Sequence, residues 1–398
     1  MSYTSDEFYV DTNKYQPIVN ELIHEFAQHN IAYQRLETLC IKYGHRLTGS
    51  TTLDNAIDWI YNTMISDGLD NVMKMPVQCP NWKRNAAHAC IIRSNTQHNS
   101  NIQHNIDNGI CDINVSDGDL YRKLNVLALG SCISGSVTGE IVLCESYEQL
   151  DELGKQHKLK GKIVLWNKAW CNNYGSCAKF RWDGAKRAES YGATASLIRS
   201  VASESLATPH TGTQDASNIP GVAITIEDAE LITRLINSGE SVTVHLCTSN
   251  TTGEDVTHHN VIGEIVGSEK PDEIVIVSGH VDSWDVGQGA MDDGSGLISA
   301  WEVVRLLKKL GYKPRRTIRA VIWVDEEQRT SGSEEYIKQY KSQLSNHVAA
   351  FESDMGVWNS IGFGYAGTVQ SEPVVQQLLD LLKPLNATKL DSDGLGML

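Results

Sequence analysis

Six residues in the last third of the chain carry side chains that bind cations or move protons: His280, Asp282, Asp292, Glu326, Glu327 and Asp354. One histidine among carboxylates suits zinc, manganese or cobalt better than magnesium, which prefers an all-oxygen shell. Taken singly, each has an ordinary reading. His280 alone is a structural histidine, Asp292 alone a turn former, Glu326-Glu327 alone a solvated pair, and Asp354 alone a helix cap. Together they share a placement. Acidic groups directly after buried apolar strands would be desolvated without a partner, at a cost on the order of several kcal/mol each. A divalent cation relieves that cost.

The elements that position them can be read from the apolar pattern. Residues 273–279 form a nearly continuous β-branched run, as in a strand buried on both faces of a parallel sheet, and end in His280-Val281-Asp282. A glycine-rich acidic turn, 289–296, holds Asp292. A helix follows, with Leu297, Ala300, Trp301, Val304 and Leu307 on one face and Gly311 and Pro314 as its stop. Residues 317–324 form a second strand that runs into Asp325-Glu326-Glu327, and 348–351 a third that runs into Glu352-Ser353-Asp354. In open α/β sheets, ligands bind beyond the carboxyl ends of the strands. Alternation at a strand end would point Glu326 and Glu327 to opposite sides and give them different tasks.

The rest of the chain bounds the answer. Its 398 residues are enough for two or three domains. Lys and Arg total 34 against 49 Asp and Glu, a net charge of −15, which argues against a general nucleic-acid binder. No run of about 20 apolar residues suggests a membrane span. Residues 16–65 have helical spacing, and 93–122 form a polar stretch read as a surface insertion or disordered loop. Strand-like runs at 140–143, 162–166, 195–198 and 222–225 suggest a compact β-rich inserted domain over 126–247. The N-terminus lacks the basic and apolar regions of a signal peptide. Nine cysteines are present, without a CxxC. Three glycosylation triplets begin at Asn114, Asn250 and Asn386, and shift the odds toward secretion only slightly.

The run 278–294, Ser-Gly-His-Val-Asp-Ser-Trp-Asp-Val-Gly-Gln-Gly-Ala-Met-Asp-Asp-Gly, followed by Glu326-Glu327-Gln328 and Glu352-Ser353-Asp354, resembles the co-catalytic di-zinc exopeptidases of the M28 peptidase family. Arg46-Leu47-Thr48-Gly49-Ser50, residues 196–203 and 209–212 fit the same family, so the resemblance spans nearly the whole chain except the polar insertion. It implies an α/β fold: a mixed, largely parallel sheet flanked by helices, with the inserted region as a protease-associated domain. The chain would then divide into 1–125, 126–247 and 248–398.

The resemblance also implies roles. His280 would bind one of two zinc ions, Asp292 would bridge both, and Glu327 and Asp354 would each complete part of one shell. Glu326 would be the general base, and Asp282 would orient the imidazole by accepting its other N–H. The implied reaction is hydrolysis of dipeptides or terminal peptide bonds by a metal-activated water. A homodimer and a secreted or lysosomal setting are implied as well. The family uses a second histidine ligand after the last matched block. The chain stops at 391–398 before any such residue, so it is expected to be C-terminally truncated with an incomplete site. Asp325 stands where relatives usually have a small residue. Three carboxylates in a row either raise a pKa by repulsion or reflect tolerance at a strand end. The alternative function is a non-catalytic homologue acting in binding or regulation. A cyclase on the same fold shares the ligand types, but the inserted domain and the long first motif disfavour it.

Overall fold

The computed structural model describes residues 10–92, 103–107, 110–114, 120–171, 173–204, 206–354, 356 and 358–391, with backbone alone over 103–107, 110–114 and 120. They form two compact units, one of Met1–Gln78, Thr257–Glu326 and Thr330–Leu398, the other of Cys79–Val256 with Glu327–Arg329.

The first unit is built on a five-stranded sheet in the order Asp70–Cys79, Val256–Ile265, Arg316–Trp323, Lys270–His280, His347–Glu352. Lys270–His280 runs parallel to both its neighbours, as its β-branched sequence suggests, and Val256–Ile265 pairs antiparallel with Arg316–Trp323. Lys270–His280 is less buried than expected: Pro271 and Asp272 are exposed, half-buried and buried positions alternate from Glu273 to Val277, and burial is continuous only at Ser278, Gly279 and His280. The long buried stretches lie in the two strands that precede it in the order, 319–323 of Arg316–Trp323 and 260–265 of Val256–Ile265. His347–Glu352 is an edge strand, with Val348 and Phe351 exposed.

Helix Ser295–Lys309 packs against this sheet. Leu297, Ala300, Trp301 and Val304 are buried as the spacing predicts, while Leu306 rather than Leu307 completes the buried face. Gly311, at φ +73°, takes the left-handed position after the last turn. Trp301 is the anchor. Its ring lies 4.0 Å below the Arg35 guanidinium and meets Trp59 edge-on at 5.6 Å. Its indole N–H donates to Asp67 at 2.9 Å, and Asp67 also accepts two bonds from Arg35 at 2.7 and 2.8 Å. Helices Ala32–Tyr43 and Thr51–Ser66 are thereby fastened to Ser295–Lys309.

The second unit holds an eight-stranded sheet. Its parallel centre, Gly135–Cys144, Ile163–Trp166, Ala195–Arg199 and Gly221–Ile224, contains all four strand-like runs read from the sequence. The unit extends to both sides of 126–247, because Trp82–Ile92 pairs with Thr243–Thr252, which pairs with Gly135–Cys144. Four helices, Tyr147–Lys155, Tyr174–Trp182, Gly184–Ser190 and Ile226–Asn237, accompany the strands. The core gathers Leu150, Leu159, Val164, Ala188 and Ala223 around Trp166, which stacks on Phe180 at 5.0 Å. Cys247 is disulfide-bonded.

Within the polar stretch 93–122, Gln103–Asp107 and Ile110–Asn114 form an antiparallel pair and Leu120–Leu124 joins the large sheet, so part of it is ordered strand rather than loop. Residues 93–102, 108–109 and 115–119 lie outside the described residues. Among the glycosylation triplets, Asn250 lies in a strand and donates its side-chain amide to the Cys132 carbonyl at 3.0 Å, so it is not a free acceptor. Asn386 is exposed. Among the described residues no helix is long and apolar enough to cross a membrane.

Candidate metal centre

Parallel pairing brings three strand ends together. His280 lies opposite Trp323, and Ser278 opposite Glu352. The segments after Trp323 and Glu352 therefore leave the sheet on either side of the imidazole. His280 is fully buried, and its Nε2 lies 3.2 Å from Asp292 Oδ1, 3.4 Å from Asp354 Oδ1 and 3.9 Å from Glu326 Oε2. Donor atoms of His280, Glu326 and Asp354 all fall within 4.8 Å of one another, the reach of a single ion. Despite the three carboxylates in front of it, Nε2 makes no hydrogen bond of proper geometry. An orphaned buried imidazole nitrogen facing carboxylates fits a cation better than it fits its protein neighbours.

The electrostatics agree. Burial disfavours a charged imidazole, but the carboxylates of Asp282, Asp292 and Asp354 outweigh burial and raise the His280 pKa well above its ordinary value. Burial, reinforced by Asp282, Asp354 and Asp292 against the opposing pull of His280, pushes Glu326 up to about 7. A site that draws a proton onto histidine and onto a carboxylate is short of positive charge, and a metal ion competes with those protons.

The carboxylates expected to be desolvated are not the ones that are buried. The ligand candidates stay partly in water, with side chains 65% exposed at Asp292, 39% at Glu326 and 37% at Asp354. Among the described residues the fully buried acids are Asp282, Asp293 and Asp325, which are held by protein donors. Asp293, which sequence reasoning quoted without a role, accepts the N–H of His280 and that of Gly296, both at 2.9 Å. It thus ties the strand end to the start of the helix, and burial pushes its pKa up to about 8. The doublet Asp292-Asp293, with one side chain out and one in, was the available signal. Asp325 accepts the Ser331 hydroxyl at 2.5 Å.

Two further expectations need correction. The Asp282 carboxylate is not the nearest acceptor to the imidazole: Nδ1 of His280 lies 3.0 Å from the Asp282 backbone carbonyl, with the carboxylate at ion-pair distance, 3.7 Å. The chain turns sharply after the strand, so the carbonyl arrives first. The carboxylate also accepts the Glu326 N–H at 3.1 Å and the Thr48 hydroxyl at 3.3 Å. Nor does strand alternation separate Glu326 from Glu327. Asp325 adopts the left-handed conformation at φ +61°, and Glu326–Arg329 is a helical turn, so the two glutamates diverge by helical rotation. Glu327 is not one of the three residues within reach of a single ion. His347 begins the edge strand, bonded to the Tyr336 hydroxyl at 2.9 Å, at the end opposite the site.

Small residues allow these segments to approach. A Cβ on Gly296 would sit 1.7 Å from the Ser353 carbonyl oxygen and 2.2 Å from Asp293 Oδ1. Gly296→Ala is therefore expected to lose about 1–3 kcal/mol of stability by overpacking and to displace the segment that carries Asp354. Thermal melts with and without zinc check this: the variant should melt lower and gain less from the ion.

Comparisons with known proteins show the family. Residues 260–393 match the model of peptidase family M28, and 132–232 match the PA domain. Carboxypeptidase Q from Bos taurus is 36% identical over 386 residues, which are 95% of this chain and 76% of the relative, and the Homo sapiens protein gives the same figures. A peptidase M28 precursor from Shewanella amazonensis SB2B superposes with a TM-score of 0.83 at 28% identity, covering 96% of this chain and 83% of that one. The zinc aminopeptidase BSAP of Bacillus subtilis shares the fold, at a TM-score of 0.55 and 21% identity, covering 81% of this chain and 68% of its own. Fold, strand-end site and relatives converge, and the chain belongs to peptidase family M28, among the relatives of carboxypeptidase Q, as a metallo-exopeptidase.

Proposed function

We propose that the protein is a zinc-dependent exopeptidase that hydrolyses dipeptides or terminal peptide bonds. The observation that carries this reading is the buried Nε2 of His280, unsatisfied and faced by three carboxylates. His280, Asp292, Glu327 and Asp354 would hold two zinc ions, with Asp292 serving both. Zinc, when bound, acidifies water and polarises a carbonyl. Glu326 takes a proton from the attacking water and returns it to the leaving amine. The bond from its N–H to the Asp282 carboxylate fixes where that glutamate starts. Asp282 is thus a positioning residue for both His280, through its carbonyl, and Glu326. A homodimeric, secreted or lysosomal enzyme goes with this reading, and the disulfide at Cys247 is in keeping with an oxidising compartment.

Metal removal tests it. Dipeptide hydrolysis is expected to vanish on dialysis against a chelator and to return with zinc, with two ions per chain by elemental analysis. Hydrolysis indifferent to chelation would overturn the reading. A second reading, a non-catalytic binding protein on the same scaffold, is favoured by the single histidine in the metal-capable group among the described residues. It predicts well under two ions per chain and no turnover with zinc restored.

A further inference from the structure

We propose that Arg46 is a positioning residue of this metal site, locking the strand end that carries His280 to the turn that carries Asp292. The proposal rests on the metal reading above.

Arg46 is fully buried, and none of the ion pairs among the described residues includes it. Its guanidinium is spent on main-chain carbonyls. Nε donates to Val281 at 2.6 Å, Nη1 to Gln288 at 2.8 Å and to Gly44 at 3.0 Å, and Nη2 to Gly289 at 2.9 Å. Burying a guanidinium with no carboxylate at contact distance is costly; these four bonds, with the longer-range attraction of Asp282, Asp293 and Asp292, retain it. Val281 lies between His280 and Asp282, while Gln288 and Gly289 open the turn that delivers Asp292. The main chain joins the same contact: Arg46 N–H donates to the Ser283 hydroxyl at 3.0 Å, and Ser283 N–H donates to the Arg46 carbonyl at 3.2 Å.

The fit requires glycine at 289. That residue has φ +57°, and a Cβ there would meet Ser283 Cβ at 2.4 Å and Arg46 Nη2 at 2.7 Å. Two residues on from Arg46, the Thr48 hydroxyl reaches the Asp282 carboxylate, whose other oxygen accepts the Glu326 N–H. A single segment, 46–48, therefore touches the main chain or side chain that places His280, Asp282, Asp292 and Glu326. It comes from more than two hundred residues upstream, so the site is fixed by a long-range contact as well as by its local motifs.

The chemistry requires arginine specifically. Its planar fork presents five donors in fixed directions, whereas a lysine ammonium is one point that cannot span carbonyls on three segments. Arg46→Lys keeps the charge and loses the span. It is expected to weaken zinc binding by about 10–100-fold, the usual cost of losing support behind metal ligands. Catalytically, kcat should fall more than KM rises. Thr48→Val is expected to fold normally and weaken zinc binding by about tenfold through Asp282.

Arg35→Lys supplies the control. Arg35 is also buried, in the same unit, but it pairs with Asp67 below Trp301 rather than with the site. It should lower the melting temperature without changing zinc affinity. Zinc affinity is read by competition with a chromophoric chelator, alongside the melting temperature. The expected result is selective loss of zinc affinity in Arg46→Lys and Thr48→Val but not in Arg35→Lys. Wild-type protein that binds zinc, with both site variants within about twofold of it at the resolution a tenfold effect demands, overturns this proposal alone. Should Arg46→Lys fail to fold, unchanged zinc affinity in Thr48→Val overturns it. Wild-type protein that takes up no zinc overturns the metal reading beneath it.

Discussion

Glu326→Gln is expected to lower kcat for dipeptide hydrolysis by about 10²–10⁴-fold, the range associated with a general acid–base group. Glutamine keeps the size and the backbone N–H that reaches Asp282, so the helical turn should survive. It removes only the group that accepts the proton. Zinc content should be unchanged if His280, Asp292, Glu327 and Asp354 hold the ions. Steady-state kinetics with elemental analysis of the same preparation checks both parts. Unchanged turnover would remove Glu326 from the mechanism. Inactivity accompanied by metal loss would place Glu326 among the ligands, where its distance to His280 also allows it to serve.

Trp301→Ala is expected to cost about 3–5 kcal/mol, the range for deleting a large buried aromatic. The loss is more than a cavity, because the ring supports Arg35 and meets Trp59, and its N–H bonds Asp67. Removing it leaves the Arg35–Asp67 pair without its floor. Trp301→Phe keeps most of the packing and should lose about 1 kcal/mol for the missing hydrogen bond, plus a smaller packing term. Denaturant midpoints followed by circular dichroism order the two variants, since fluorescence would change with the tryptophan itself. A Trp301→Ala midpoint equal to wild type would show that the helix is held elsewhere.

Much of this was legible in the residues, for reasons specific to each element. The runs around 273–279 and 317–324 are strongly β-branched, and the central one lies parallel between two partners, so their shared polarity and the convergence of their carboxyl ends followed from composition. The helix after the acidic turn showed itself through Leu297, Ala300, Trp301 and Val304 and through its glycine stop. What stayed hidden depended on the first peptide units after a strand. Asp325 turns left-handed, which no apolar pattern signals, and so Glu326 and Glu327 diverge on a helix rather than on a strand. The tight turn after His280 offers a carbonyl where a carboxylate was expected. The burial of Asp354 was misjudged because the third strand is an edge, and a run of four apolar residues looks the same at an edge as at the centre. Arg46 and Thr48 matched a family pattern, but their partners lie more than two hundred positions away.

The Asp70–Cys79 and Val256–Ile265 strands sit side by side in the five-stranded sheet, and the Gln78 amide donates to the Thr257 hydroxyl at 2.7 Å. Between those residues the chain makes all of the second unit but Glu327–Arg329. Closing so long a loop directly would cost on the order of 3 kcal/mol more than closing a short turn. If the intervening unit folds first and presents its two ends together, most of that entropy is already spent when the strands meet. The order of events during folding then runs from the inside of the sequence outward, and the metal centre, built on the enclosing sheet, is among the last parts to form.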